Sequence, residues 1–314
     1  MRERARRQRP ALPLREGVSA SCVVTPAGAW TTLLDFLAER LPAVTRDAWA
    51  QRMADGAVLD DTGHPVLPAA AFQPGLRLHY YRSLPDEPLV PFEETILFQD
   101  DWLVVADKPH FLPVTPGGRY VQQSLLVRLK RRLDIDTLSP IHRIDRETAG
   151  VVVFAVQPAT RAAYHALFRE RAVTKTYEAL APGAGRQVFP LIRRSRMEED
   201  PNAFFRMREA PGTPDSETRI SLLEQRGAWA RYRLEPVTGK RHQLRVHMHA
   251  LGLPLVGDQF YPAVRRGPDA VEDFADPLRL LAKSIAFTDP VTGAPRHFES
   301  LRQLDWPGCC SLRP

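Results

Sequence analysis

Long apolar runs are missing from this 314-residue chain. No stretch approaches the roughly 20 residues that span a bilayer, and the Arg-rich start is not followed by the apolar core of a secretory signal. Cysteine is scarce as well. Three residues, two of them adjacent at Cys309-Cys310, cannot build the disulfide framework of a small secreted domain, and without a Cys-x-x-Cys pair they give no zinc signature. There is no internal repeat, and low complexity is confined to the Arg-rich tail. These absences lead to the expectation of a soluble cytoplasmic protein that does not associate with membranes.

Surplus positive charge is also local. The net charge is +6, but residues 1–15 hold six Arg against one Glu, which is +5 and leaves +1 for the remainder. A nearly neutral body is not a general polyanion-binding surface. The tail is either a solvated arm or a source of non-specific phosphate affinity that fades with salt. With 44% hydrophobic and 25% charged residues, the chain is otherwise ordinary for a globular protein, long enough for one large domain or a medium one plus a small one.

Residues 30–41 (WTTLLDFLAERL) place Leu33, Leu34, Leu37 and Leu41 on one helical face, and RDAWAQRMA at 46–54 reads as a second helix stopped near Gly56. A turn at Asp61-Thr62-Gly63 and the alternating LRLHYYR complete a small helix–helix–hairpin module. The Pro- and acid-rich segment at 84–94 has linker composition. From Ile96 the pattern becomes β-rich, with strands expected at ILFQDDWLVVADKP, VVVFAV, KTYEALA, WARYRLEPV, HQLRVHMH and KSIAFTDP, and helices at about 122–132 and 158–170. Strands interspersed with a few helices predict an α+β domain with one large sheet.

Two clusters carry chemistry. His142-Arg143-Ile144-Asp145-Arg146 immediately precedes the buried-strand run Val151–Phe154, with Gly150 permitting a sharp entry into the sheet. TGKRHQLRVHMH at 238–249 reads as a turn and strand, on which Gln243, Arg245, His247 and His249 share one face and Leu244, Val246 and Met248 the other. The three His do not make a tetrahedral zinc set, because His242 has the opposite parity and no carboxylate stands at ligand spacing. Ser124 lacks the Gly-x-Ser-x-Gly context of a hydrolase nucleophile. What remains is a carboxylate and a guanidinium on rigid elements. Asp145 either pairs with a neighbouring Arg to cap the turn, or is an ionised, oriented base or nucleophile.

These residues resemble the RluA-type RNA pseudouridine synthases, whose catalytic motif reads His-Arg-Leu-Asp-x-x-Thr-Ser-Gly. The chain has HRIDRETAG at 142–150, and the likeness continues in DKP at 107–109, KTYEAL at 175–180, TGKRHQLRVHMHALGLPLVGDQFY at 238–261 and LAKSIAFTDPVTG at 281–293. The resemblance implies an α+β catalytic domain over 95–310, with a large mixed, mainly antiparallel sheet, flanking helices, and neither cofactor nor metal. It implies that Asp145 is the catalytic carboxylate, Arg245 its basic partner and Tyr177 the aromatic under the target base. Arg143 would help displace the uridine, with further substrate contacts from His142, Arg146, Thr148, Lys175, His242, Gln243 and Lys108. Departures are Phe111 where Gly often follows Lys-Pro, Thr115 for a common His, and Leu281 for the His of Leu-His-Ala.

Residues 17–83, between a basic tail at 1–16 and the 84–94 linker, resemble an S4-like RNA-binding module. Thr45-Arg46 stands where Ser-Arg is usual, and the Gly56-Ala57-Val58 step is kept. Asp47, Asp55, Asp60 and Asp61 make the module acidic, so it either binds RNA or only positions the catalytic domain. The expected activity is isomerisation of uridine to pseudouridine in structured RNA by a monomer, with ribosomal RNA favoured and transfer RNA as the other candidate. Candidate phosphate contacts are Arg128, Lys130, Arg131 and Arg132. The rival from another class is a catalytically idle RNA-binding or ribosome-assembly protein. A glycoside hydrolase using Asp145 and Glu147 requires carboxyls about 5–9.5 Å apart across a sugar site, a poor fit for loop residues at i and i+2.

Overall fold

The computed structural model describes residues 12–308 apart from 83, 85, 266, 268, 269 and 271. Residues 1–11 of the expected basic tail and the Cys309-Cys310 pair lie outside the described residues. The chain divides into two units, one running to Glu87 and including Gly118–Gln122, the other comprising Pro88–Gly117 and everything from Gln123 onward.

In the first unit, strand β1 (Ser21–Val24) precedes helices α1 (Leu33–Arg40) and α2 (Arg46–Ala54), followed by strands β2 (Val58–Leu59) and β3 (Arg77–Tyr80) in a small sheet of order β1-β3-β2. A capping box starts α1. The Thr32 hydroxyl accepts from Asp35 N–H at 3.1 Å, and the Asp35 carboxylate accepts from Thr32 N–H at 3.1 Å. Thr45 caps α2 in the same way by accepting from Ala48 N–H. Leu33, Leu34 and Leu37 of the expected stripe are buried with Phe36, Trp49, Met53 and Leu78. Arg15 packs here too, its guanidinium 4.4 Å from the Tyr81 ring and hydrogen-bonded to Gly56 O.

The second unit contains β4 (Thr95–Gln99), β5 (Leu103–Lys108), α3 (Leu125–Leu133), β6 (Ser139–Pro140), β7 (Ala149–Ala155), α4 (Arg161–Arg169) and β8 (Thr174–Pro182). It continues with β9 (Leu191–Asp200), β10 (Ala203–Ala210), β11 (Ser216–Arg226), β12 (Trp229–Pro236), α5 (Gln243–Ala250), β13 (Leu280–Thr288) and β14 (Pro295–Glu299). Among the described residues these strands form an eleven-stranded sheet, ordered β10-β9-β11-β12-β8-β13-β7-β5-β4, with β14 on β13 and β6 on β7. Among the described residues, only the β7–β13 pair is parallel. The α+β class and the mainly antiparallel sheet agree with the sequence reading.

Strands β5 and β7 are buried along their whole length, which explains their continuous apolar runs. Gly150 is the second residue of β7 rather than a turn before it. Its φ is +114°, and a Cβ there would lie 2.2 Å from Ala282 O, so the absence of a side chain is what lets β13 lie alongside. Phe111, standing where the resembled family often has Gly, also adopts a positive φ, +66°, and is held between Phe92 and Phe274.

Two expectations are corrected. Residues 243–250 form helix α5, not a strand. Gln, Leu, Arg, Met and Ala favour helix, Val246 is the only β-branched residue, and every position from Gln243 to Met248 is buried, so the alternation never marked an inside and an outside. On α3, Arg128 is no phosphate contact. Its guanidinium donates to Val90 O, Phe92 O and Gln123 and faces Glu94, which ties the 90–94 segment to the helix.

Candidate active site

Asp145 lies in the loop that leads into β7, and the loop's carbonyls are pinned in succession. Thr148 N–H donates to Asp145 O at 3.1 Å, the Lys108 ammonium donates to Arg146 O at 3.0 Å, and the His110 ring donates from Nδ1 to Glu147 O at 2.6 Å. Lys108 also donates to Pro109 O and Leu112 O and is fully buried, which lowers its pKa to about 7. The Lys-Pro segment therefore works from behind the loop. Lys108 does not reach the cleft, in contrast to the expected substrate contact. Arg146 is turned away as well, paired with Glu147 at 2.8 Å and Glu272 at 2.7 Å.

The opposite wall is the 238–242 turn and the start of α5. Gln243, 3% exposed, uses both ends of its amide: Oε1 accepts from the Thr238 hydroxyl and Lys240 N–H, and Nε2 donates to Glu217 O and the Thr218 hydroxyl. It shapes the turn and has no capacity left for substrate. His242, just before it, is in a left-handed conformation (φ +55°), stacked on Phe260 and hydrogen-bonded to the Tyr261 hydroxyl. Burial and the adjacent Arg245 charge depress its pKa to about 3, so the ring is neutral. His247 sits among the hydroxyls of Thr218, Ser195 and Ser216, anchoring α5 to the sheet.

Arg245 brings the walls together. Its Nη1 donates to Asp145 Oδ2 at 3.2 Å, and Nε and Nη2 form a fork on Asp258 at 2.8 and 2.7 Å. Glu147 Oε2 lies 4.0 Å away, and the rings of Phe260 and Tyr261 flank the guanidinium at 5.0 and 5.4 Å. Burial alone would lower the Arg245 pKa, but the Asp258 hydrogen bonds and the charges of Asp258, Asp145 and Glu147 raise it above the ordinary value. Arg245 and Asp258 are each 1% exposed, whereas Asp145 is 24% exposed. Of the two carboxylates bonded to Arg245, Asp145 is the one open to solvent. Asp258 was not singled out in the sequence, although a buried Arg requires a buried carboxylate and Asp258 lies in the quoted VGDQFY stretch.

The cleft between the walls, about 290 Å³, is lined by Asp145, Arg245, Tyr177, Arg143, Thr148, Lys175, His142 and His242 among others. Tyr177, on β8, is kept a neutral phenol, its pKa raised by burial and then by the Asp145 charge. Lys175 donates to Thr238 O at 3.3 Å, and burial lowers its pKa. His142 lines the cleft but serves the strand. Its Nε2 accepts from Val153 N–H at 3.1 Å, its ring stacks on Phe168, and burial depresses its pKa to about 3. Arg143 is exposed at the rim. Among the described residues, no group of three or more His, Cys, Asp or Glu could hold a metal ion.

A large mainly antiparallel sheet thus carries a cleft lined by Tyr177 and by the Asp145–Arg245 pair, and comparison with known proteins gives the class. The family model described as RNA pseudouridylate synthase matches residues 102–250. A dual-specificity RNA pseudouridine synthase from Yersinia pestis is 34% identical over 210 residues, covering 65% of this chain and 97% of that protein. The ribosomal large subunit pseudouridine synthase C of Vibrio vulnificus is 29% identical over 203 residues, 65% of this chain and 64% of its own. In fold, the chain is similar to human RNA pseudouridylate synthase domain containing 1, with a TM-score of 0.55 and 24% identity over 68% of this chain and 85% of that one. The protein is an RNA pseudouridine synthase. It belongs to the RluA-type family.

Proposed function

We propose that Asp145 is the catalytic carboxylate that converts uridine to pseudouridine in structured RNA, with large-subunit ribosomal RNA as the favoured substrate. The observation that carries this is the placement of Asp145: a carboxylate open to the cleft, oriented by a guanidinium that is itself fixed on a second, buried carboxylate. A carboxylate held this way is poised to attack without rotating away.

The reaction requires the N1–C1′ bond to break, the uracil to turn, a C5–C1′ bond to form, and the C5 proton to leave while N1 gains one. The uridine must first be drawn out of its stack at a cost of a few kcal/mol. In this reading Tyr177 offers its ring to the extruded base, Arg143 at the rim helps displace it, and Lys175 contacts the substrate from the cleft wall. Thr148 lies on the same wall as Asp145. Asp145 acts on either ribose C1′ or the base. The first unit, in its S4-like resemblance, contributes RNA affinity.

The ribosomal assignment draws on the relative named for the large ribosomal subunit, and transfer RNA, the other candidate from the sequence, stays in the test. Incubating the protein with unmodified ribosomal and transfer RNA transcripts and mapping pseudouridine by carbodiimide adducts and primer stops tests the proposal. A stop at one or a few uridines of ribosomal RNA is expected. No stop in either RNA would favour the idle RNA-binding alternative.

A further inference from the structure

The β9–β10 hairpin carries an exposed aromatic ring, Phe204, whose backbone is bonded to the 238–242 turn that forms one wall of the cleft. Phe204 is 80% exposed, in the β10 segment where the register with β9 shifts between Ala203 and Met207. A single exposed hydrophobic ring is ordinary on a protein surface. What sets Phe204 apart is that its carbonyl and those of the residues just after it are bonded to the turn and loop beside the cleft. Arg241, between the cleft-lining residues Lys240 and His242, donates to Phe204 O at 2.7 Å and to Arg206 O at 3.1 Å. Arg206 in turn lies over the Tyr261 ring and donates to Pro262 O, and the Tyr261 hydroxyl bonds both N and O of Met207.

The neighbouring Phe205 packs on Phe260 at 5.3 Å, and Phe260 stacks with His242 and flanks Arg245. One ring of the Phe pair thus packs on the residues that support the site, and the other faces solvent. Three of the hairpin's five arginines are matched closely to acids, Arg193 to Glu209, Arg208 to Glu198 and Arg194 to Glu217; Arg196 lies 3.9 Å from Glu198, and Arg206 is spent on the Tyr261 ring and Pro262 O. Phosphate attraction from the hairpin is correspondingly weak. An exposed ring whose backbone is tied to the turn that walls the cleft, on a hairpin whose arginines are largely paired with acids, suits the face of a base rather than a phosphate.

We propose that Phe204 is a stacking platform for an unpaired nucleobase of the RNA that flanks the target uridine. This rests on the reading of the cleft as the uridine site, and it adds a contact outside that cleft.

The test compares full-length wild type with Phe204→Ala, Phe204→Leu and Phe204→Trp, using fluorescence anisotropy of a labelled oligouridylate over a salt series. Loss of base stacking should weaken binding about 5- to 140-fold in the Ala variant, towards the lower end for a ring at the rim. The Leu variant should be weakened as well, and Trp should bind at least as tightly as wild type. The slope of log K against log salt should be the same for all four proteins. Wild-type affinity in both Ala and Leu overturns the proposal, as does recovery by Leu alone, which would mean a merely apolar contact. A changed self-association in sedimentation without a change in RNA affinity overturns it too, by assigning the ring to a protein contact. Pseudouridine formation by wild type, followed in parallel, reports separately on the reading of the cleft.

Discussion

Arg245 and Asp258 engage each other completely, Nε on Oδ2 and Nη2 on Oδ1, with neither side chain more than 1% exposed. The fork uses two of the guanidinium's three nitrogens and directs the third, Nη1, at Asp145. A buried cation with one partner behind it and one in front can hold the front carboxylate in a single orientation. Asp258 also accepts from Phe260 and Tyr261 N–H, so its own position is fixed by backbone.

Asp258→Asn should therefore damage both stability and rate. The amide presents donors to a donor and leaves the buried guanidinium short of charge, a loss of about 3–5 kcal/mol. Urea unfolding measures the first effect. Single-turnover rates at saturating protein measure the second and should fall while RNA affinity changes little. A variant as stable and as fast as wild type would remove Asp258 from the account.

Gly150→Ala tests the parallel β7–β13 contact. With φ at +114° and a Cβ 2.2 Å from Ala282 O, the strands must separate, at a cost above about 2 kcal/mol. Denaturant midpoint and soluble yield are the readouts, and wild-type values for both would contradict the packing.

Acid should weaken the fold well before the carboxylates titrate. Burial holds His142 and His242 neutral down to about pH 3, and His110 and His247 down to about pH 4, all below the ordinary 6.5. Above about 6.5 both folded and unfolded chains carry these rings neutral. As pH falls from there towards 4, only the unfolded chain takes up the protons, and stability drops by up to about 1.4 kcal/mol per pH unit for each ring. Urea unfolding at pH 7.5 and pH 5 should show this loss, and equal stabilities would contradict it.

The sequence made the central strands and the Asp145 loop legible because β5 and β7 are buried on both faces and read as uninterrupted apolar runs. Strands β9 and β10 were missed for the opposite reason. Segments such as LIRRSRMEED and AFFRMREA are held by cross-strand ion pairs, Arg193–Glu209 and Arg208–Glu198, and show no apolar run. In α5, complete burial of 243–248 hid the helical period behind a chance alternation. Asp145, Arg245 and Tyr177 came together as the motifs implied. Lys108 and Arg146 did not, because a motif marks residues that support the loop as strongly as residues that face the substrate.

The most direct test of the central claim is the single-turnover rate of Asp145→Asn on a ribosomal RNA transcript that wild type modifies, measured with thermal unfolding and RNA affinity on the same preparation. The substitution keeps the shape of the side chain and removes only the ionised oxygen that faces the cleft. Pseudouridine formation should disappear while the melting temperature and dissociation constant stay close to wild type. Substantial turnover by this variant would contradict the assignment of Asp145 as the catalytic carboxylate.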